Sequence, residues 1–180
     1  LLEFDDVQND QRREIYGLRN DILESTDCSE LVKNLREGYF TDLFRAYVPP
    51  ETVEEQWDLD TLTSKVENVL GTRVDFKQML EASAGDEELL EALLKKAEEL
   101  YAAKEGLVGK EGFTSFARSV LLQVIDQLWR QHIAALDALR QGIYLRGYAQ
   151  KQPKQEYKRE AFAMFEELLD RIRETLINVV

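Results

Sequence analysis

The feature that most constrains this chain is a long apolar stripe. Phe113, Phe116, Val120, Val124 and Leu128, flanked by Leu121, Ile125 and Ile133, recur at helical spacing. Over roughly 25 residues at ~1.5 Å each, this predicts a helix of roughly 38 Å. A helix with such a stripe needs a mate. The chain supplies one from about Lys154 to Val180, with Ala161, Phe165, Leu168, Ile172 and Leu176 on one side. Gly142 and Gly147 between the two runs permit backbone angles that other residues avoid, and Pro153 suits the first position of the second helix. The spacing therefore predicts a long antiparallel helical hairpin.

The rest of the sequence also reads as helix. Val7, Ile15, Leu18 and Ile22 fall near a helical repeat that ends around Ser25-Thr26, and Asp27 to Glu30 has capping-box spacing. A second helix is expected with Leu31, Leu35, Tyr39, Leu43 and Tyr47 on one face, stopped by Pro49-Pro50. Shorter elements follow. Trp57 belongs to a brief acidic helix, Leu62 to Leu70 form another that Gly71 closes, and Asp75 offers a further cap. Gly85-Asp86 opens a longer helix striped by Leu89, Leu93, Ala97 and Leu100, with Gly106, Gly109 and Gly112 loosening its end. No period-two alternation competes, so the predicted fold class is all-α.

Charge narrows the function. The 180 residues carry a net charge of −12, which argues against nucleic acid as a general partner, because phosphate binding draws on many cations. Cys28 is the only cysteine, which rules out a disulfide framework and fits a reducing, cytosolic setting. No apolar run reaches the ~18 residues of a membrane span. The opening Leu1-Leu2, already inside an amphipathic pattern, reads as the start of an excised piece of a longer protein.

Self-contained catalysis has little to stand on. His132 is the only histidine, with Trp129 one turn before it, and reads as a packed or surface residue; no metal-ligand set accompanies it. Cys28 lacks a nearby base, and there is neither a GxxxxGK[ST] loop nor a strand-borne GxGxxG. The acidic runs at Glu51 to Glu55 and Asp86 to Glu88 fit helix first turns, where negative charge is favoured by ~0.3–1 kcal/mol. A small enzyme built on buried carboxylates is the weakest alternative.

The segment joining the long helices is less easily set aside. From Leu139 to Arg159 the cations Arg140, Arg146, Lys151, Lys154, Lys158 and Arg159 face a single carboxylate, Glu156. Ile143, Tyr144, Leu145 and Tyr148 interleave with them. Apolar groups flanked by cations suit a partner surface: a peptide, an anionic membrane face or an acidic protein. On these residues alone, one reading is a stand-alone helical adaptor that binds an acidic partner or anionic lipid through this tip.

The stretch LWRQHIAALDALRQGIYLRGYAQKQPKQEYKREAFAMFEELL, with LLEFDDVQNDQRREIY at the start, closely resembles the C-terminal half of the SecA family, the ATPase motors that drive preproteins through the bacterial SecYEG channel. The resemblance implies a helical scaffold helix over 1–26, a helical wing domain over 27–108, and over 109–180 a two-helix finger of the scaffold that contacts channel and polypeptide and regulates ATPase activity. It implies a finger loop at Leu136, Asp137, Ala138, Leu139, Arg140, Gln141, Gly142, Ile143 and Tyr144. Ala138 then stands where several relatives have a bulky tip residue, often Tyr, leaving the contact to Leu139, Ile143 and Tyr144. Arg146, Lys151, Lys154, Lys158 and Arg159 become interdomain or lipid contacts. The partners implied are SecYEG, unfolded preprotein, other SecA domains and anionic lipid, on the cytoplasmic face of the inner membrane. No cofactor is expected in this stretch; ATP and Mg would belong to preceding motor domains.

Overall fold

A computed structural model describes residues 2–25, 28–82, 84–146 and 152–179. Seven α-helices and one 3-10 turn occur among them, and no strand does: α1 Leu2–Glu24, α2 Ser29–Tyr47, α3 Leu59–Leu70, α4 Phe76–Glu81, α5 Asp86–Val108, α6 Lys110–Arg146 and α7 Pro153–Val179, with the 3-10 turn at Glu54–Gln56. The all-α expectation holds. The proposed cap Asp27 lies outside the described residues.

The chain divides into two compact units, one of residues 1–28 with 116–179 and the other of 29–115. Sequence reasoning placed its divisions at 26/27 and 108/109. Helix α6 is common to both units, because Gly109 (φ 90°) breaks α5 from α6 whereas Gly112 lies within the new helix.

In the first unit α7 lies against α1, and α6 completes a three-helix group. Contacts fix the directions. Phe4 meets Tyr157 and Gln11 meets Ala161, so α1 and α7 run parallel. Asp5 meets Arg140, Gln11 meets His132 and Arg19 meets Asp126, so α1 and α6 run antiparallel. The predicted α7 stripe is buried at all five positions. On α6 Leu121, Ile125 and Leu128 of the predicted face are buried, joined by Ala117 and Trp129, whereas Phe116 is about half exposed.

The second unit packs α2 antiparallel against α5, with α3 and α4 beside them. In α2 the face is offset by one residue: the buried positions are Val32, Arg36, Phe40 and Phe44, while Leu31, Leu35 and Leu43 are half-buried. Phe40 and Phe44 are large enough to dominate burial, and a charged residue at 36 disguised their stripe. The Asp75 and Gly71 signals hold here, whereas Trp57, expected within a brief acidic helix, only follows the 3-10 turn at Glu54–Gln56, and the Asp58 cap was not anticipated. Asp58 and Asp75 cap α3 and α4 by accepting from the Thr61 and Gln78 amides, and Gly71 (φ 70°) closes α3. The Gly85 amide donates to Glu88 Oε2 at 2.7 Å as α5 begins.

Candidate functional site

The segment expected to form a loop at 136–144 is helix. α6 continues without interruption to Arg146, and α7 begins at Pro153. Three reasons are visible in the sequence: Leu136, Leu139 and Ile143 continue the inward stripe at i, i+3 and i+7, no proline intervenes, and Gly142 meets no neighbour that would demand a special backbone. Leu136 and Ile143 are buried in one cluster with Phe4, Tyr157 and Ala161, against which Leu139 packs. The Phe4 and Tyr157 rings meet edge to face at 4.6 Å. Apolar residues near the end of the hairpin therefore do reach a core, because α1 extends alongside them.

Arg140 is likewise committed. Its Nη1 donates to Asp5 Oδ1 at 3.1 Å, and its guanidinium lies 5.6 Å from the centre of the Phe4 ring. Ala138 sits in mid-helix, two turns before α6 ends, and so does not occupy a tip. Asp137, Ala138 and Gln141 are exposed, and Gly142 is half-buried. Tyr144 and Arg146 are helical, whereas Tyr148 and Lys151 lie outside the described residues. Beyond the turn, Lys154, Lys158 and Arg159 are exposed on the first turns of α7, with Arg159 donating to Glu156 at 2.5 Å. Leu145 (80% exposed) and Phe162 (64% exposed) are apolar groups left in solvent near these cations.

Sequence reasoning missed Gln11. It sits on the inner face of α1 in line with Phe4, Ile15 and Ile22, and is 7% exposed. Its amide nitrogen donates to the Ala161 carbonyl at 3.0 Å, which turns its oxygen to His132 Nε2 at 2.7 Å. Because that oxygen only accepts, His132 must carry its proton on Nε2. His132 is thus a core residue bonded across three helices, and burial holds its pKa below the ordinary value. A polar residue interrupting an apolar heptad-like row was the available signal. Two further ties follow along α1: Arg19 to Asp126 at 2.9 Å, and Arg118 donating to the Ser25 carbonyl.

Two open depressions mark this unit. One, of about 500 Å³, is lined by Tyr16, Arg19, Asn20, Asp126, Trp129 and Arg130. The other, of about 140 Å³, lies between α6 and α7 beside His132, with Met164, Glu167 and Arg171 at its edge. Neither brings a nucleophile and a base together. Among the described residues no three His, Cys, Asp or Glu side chains cluster as metal ligands, and no helix is long and apolar enough to cross a membrane.

What the arrangement defines is a braced helical arm carrying cations and exposed apolar groups toward its turn. Comparison places it. The family described as SecA Wing and Scaffold domain matches residues 1–180. The chain is 53% identical over 182 residues to the protein translocase subunit SecA of Janthinobacterium sp. (strain Marseille), covering 100% of this chain and 20% of that relative. It is 56% identical over 182 residues to that of Ralstonia nicotianae, with the same coverage. It is 56% identical over 175 residues to that of Variovorax paradoxus, covering 96% of this chain and 19% of the relative. The chain belongs to the SecA wing and scaffold family, and it spans about one fifth of the length of these relatives.

Proposed function

We propose that this region is the non-catalytic arm of a preprotein-translocating SecA motor. Residues 1–28 and 116–179 serve as scaffold helix and two-helix finger, and 29–115 serve as the wing. ATP and Mg are bound by other domains of the polypeptide, while the finger contacts the SecYEG channel and the moving preprotein and relays channel state to ATP turnover. The protein works at the cytoplasmic face of the inner membrane as a peripheral component. The observation that carries this reading is the brace: α1 is tied to α6 at three successive points and Ser25 just after it at a fourth, so a push at the far end of α6 is transmitted along packed helices rather than absorbed.

Within that reading, the packing of Leu136 and Ile143 favours a contact nearer the end of α6. Leu136 and Ile143 hold the arm together, so the working surface consists of the residues after them: Leu145, the segment 147–152, and the cationic start of α7. Sequence-diverse polypeptide is better met by a mixture of charges and apolar groups than by a shaped pocket. Photo-crosslinking from position 145 in the full-length protein should capture channel and preprotein during translocation, whereas a probe at 138 should give weaker capture. Equal capture from both positions, or none from 145, rejects the placement. The purified 180-residue chain should not hydrolyse ATP; turnover comparable to the full-length motor would reject the non-catalytic role.

A further inference from the structure

Apolar packing alone does not say how far along α1 the two long helices should sit. Each presents a repeating apolar row, and a slip by one turn, about 5.4 Å, exchanges one aliphatic contact for another. The ion pairs between α1 and α6 do little to prevent such a slip. Arg19 with Asp126 and Arg140 with Asp5 are partly exposed, and their long arginine side chains can follow a moving partner. Gln11 cannot follow. It is buried, and its amide is engaged at both ends, donating to the Ala161 carbonyl at 3.0 Å and accepting from His132 Nε2 at 2.7 Å.

Neither partner has a substitute one turn away. His132 is the only histidine of the chain, and a turn before or after it on α6 the inward positions are Leu128 and Leu136. Ala161 is the small residue in a row otherwise made of Tyr157, Phe165, Leu168, Ile172 and Leu176, and it is there that a side chain from α1 reaches the α7 backbone. A slipped arrangement would leave the Gln11 amide and the His132 N–H buried without partners, and each orphaned group disfavours it by roughly tenfold. We propose that Gln11 is a positioning residue: with His132 and the Ala161 carbonyl it fixes the axial register of α6 and α7 on α1, and so keeps movement at the far end of the finger in step with ATP turnover elsewhere in the polypeptide. The register follows from the geometry, whereas its consequence for turnover rests on the motor function proposed above.

The test is made in the full-length protein, with pairs of spin labels at the exposed positions Arg13 on α1, Ala134 on α6 and Ala163 on α7. Wild type should give one narrow distance for each pair. The double variant Gln11→Leu with His132→Leu keeps an apolar core and should fold, yet its distances should broaden or shift by up to about 5 Å, one helical turn. On vesicles carrying the channel, it should consume roughly threefold or more ATP for each preprotein delivered. His132→Gln, whose amide offers an N–H where Nε2 stood, should keep the narrow distances and the wild-type ATP ratio. Should the leucine pair not fold, Gln11→Met, unbranched and of similar length, carries the same two expectations. Wild-type distances in the variant would overturn the register, and altered distances with an unchanged ATP ratio would overturn its role in coupling. If wild type itself delivers no preprotein, the motor reading falls and the coupling role with it, while the distances still decide the register.

Discussion

Gln11 and Phe44 occupy equivalent positions on their helices, each on the inward row, and they show how differently the two units are held. Around Gln11 three long helices meet, and an amide, an imidazole and a carbonyl are bonded through the core. Around Phe44 the partners are rings and aliphatic chains, with Phe76 at 6.1 Å, and the polar work is done at helix ends by Asp58, Asp75 and Gly71. Long helices with repetitive stripes can slide by a turn at little apolar cost. Only a group that must find one partner sets their register, as a buried polar residue does in coiled coils. Short helices are already positioned by their caps and turns, so burial alone suffices.

The largest effect that probes this contrast is Phe44→Ala. Truncating a fully buried ring should cost about 3–5 kcal/mol. The two tryptophans allow the loss to be located, since Trp57 lies in the second unit and Trp129 in the first. In urea titrations of single-tryptophan variants, the Trp57 transition should move to lower urea well before that of Trp129. If both move together, the units fold as one body and the contrast loses its energetic meaning.

Gln11→Ala should act on the other unit. It leaves the His132 N–H without an acceptor in the core, a loss of about 1–3 kcal/mol read at Trp129. Replacing both residues by leucine should recover most of it, because neither partner is then orphaned. The pH dependence follows from the burial of His132. Its folded pKa lies below the ordinary 6.5, so the unfolded chain binds the proton first as pH falls. The stability that neutral His132 contributes is therefore full above about pH 6.5 and is lost as pH falls toward the folded value. Comparing the Trp129 transition of wild type and of the leucine pair across pH 7 to 5 isolates this slope. A pair variant as pH-sensitive as wild type would show that His132 is not its source.

A smaller change tests the caps. Gly71 has φ 70°, a region that costs other residues roughly 1–2 kcal/mol, so Gly71→Ala should lower the Trp57 midpoint modestly and leave Trp129 unmoved. An unchanged Trp57 transition would mean that α3 does not depend on its closing turn.

These residues also show why part of the molecule was legible in advance. Caps and the α7 stripe are local: an Asp three residues before an amide, or an apolar row at fixed spacing, carries its meaning without its partner. The finger loop at 136–144, implied by the family resemblance, is helix, and the reason is Phe4 and Tyr157 far away in sequence. The buried face of α2 was read one position off, since a helix with apolar residues on neighbouring rows leaves the choice to whatever packs on it. For Arg36 and Arg140 the sequence shows a charge; only the fold shows that one is stacked on Tyr101 and the other is paired with Asp5.

The finest distinction concerns Arg45 and Asp86, which join α2 to α5 from partly exposed positions. The hydrogen bond from Arg45 holds the Asp86 carboxyl below the ordinary carboxylate value. Its contribution is thus present above the ordinary carboxylate range and disappears as pH falls through the folded pKa. Solvent weakens such a pair, so a double-mutant cycle with Arg45→Met and Asp86→Asn should give a coupling of about 0.2–1 kcal/mol. The coupling should shrink further at molar salt, where the screening length falls to about 3 Å. The Gln11 and His132 couple is dry and mostly dipolar, and should hold its value under the same salt. If salt weakened both equally, the core of the first unit would be wetter than its burial indicates, and the division between polar registration there and apolar packing in the second unit would have to be redrawn.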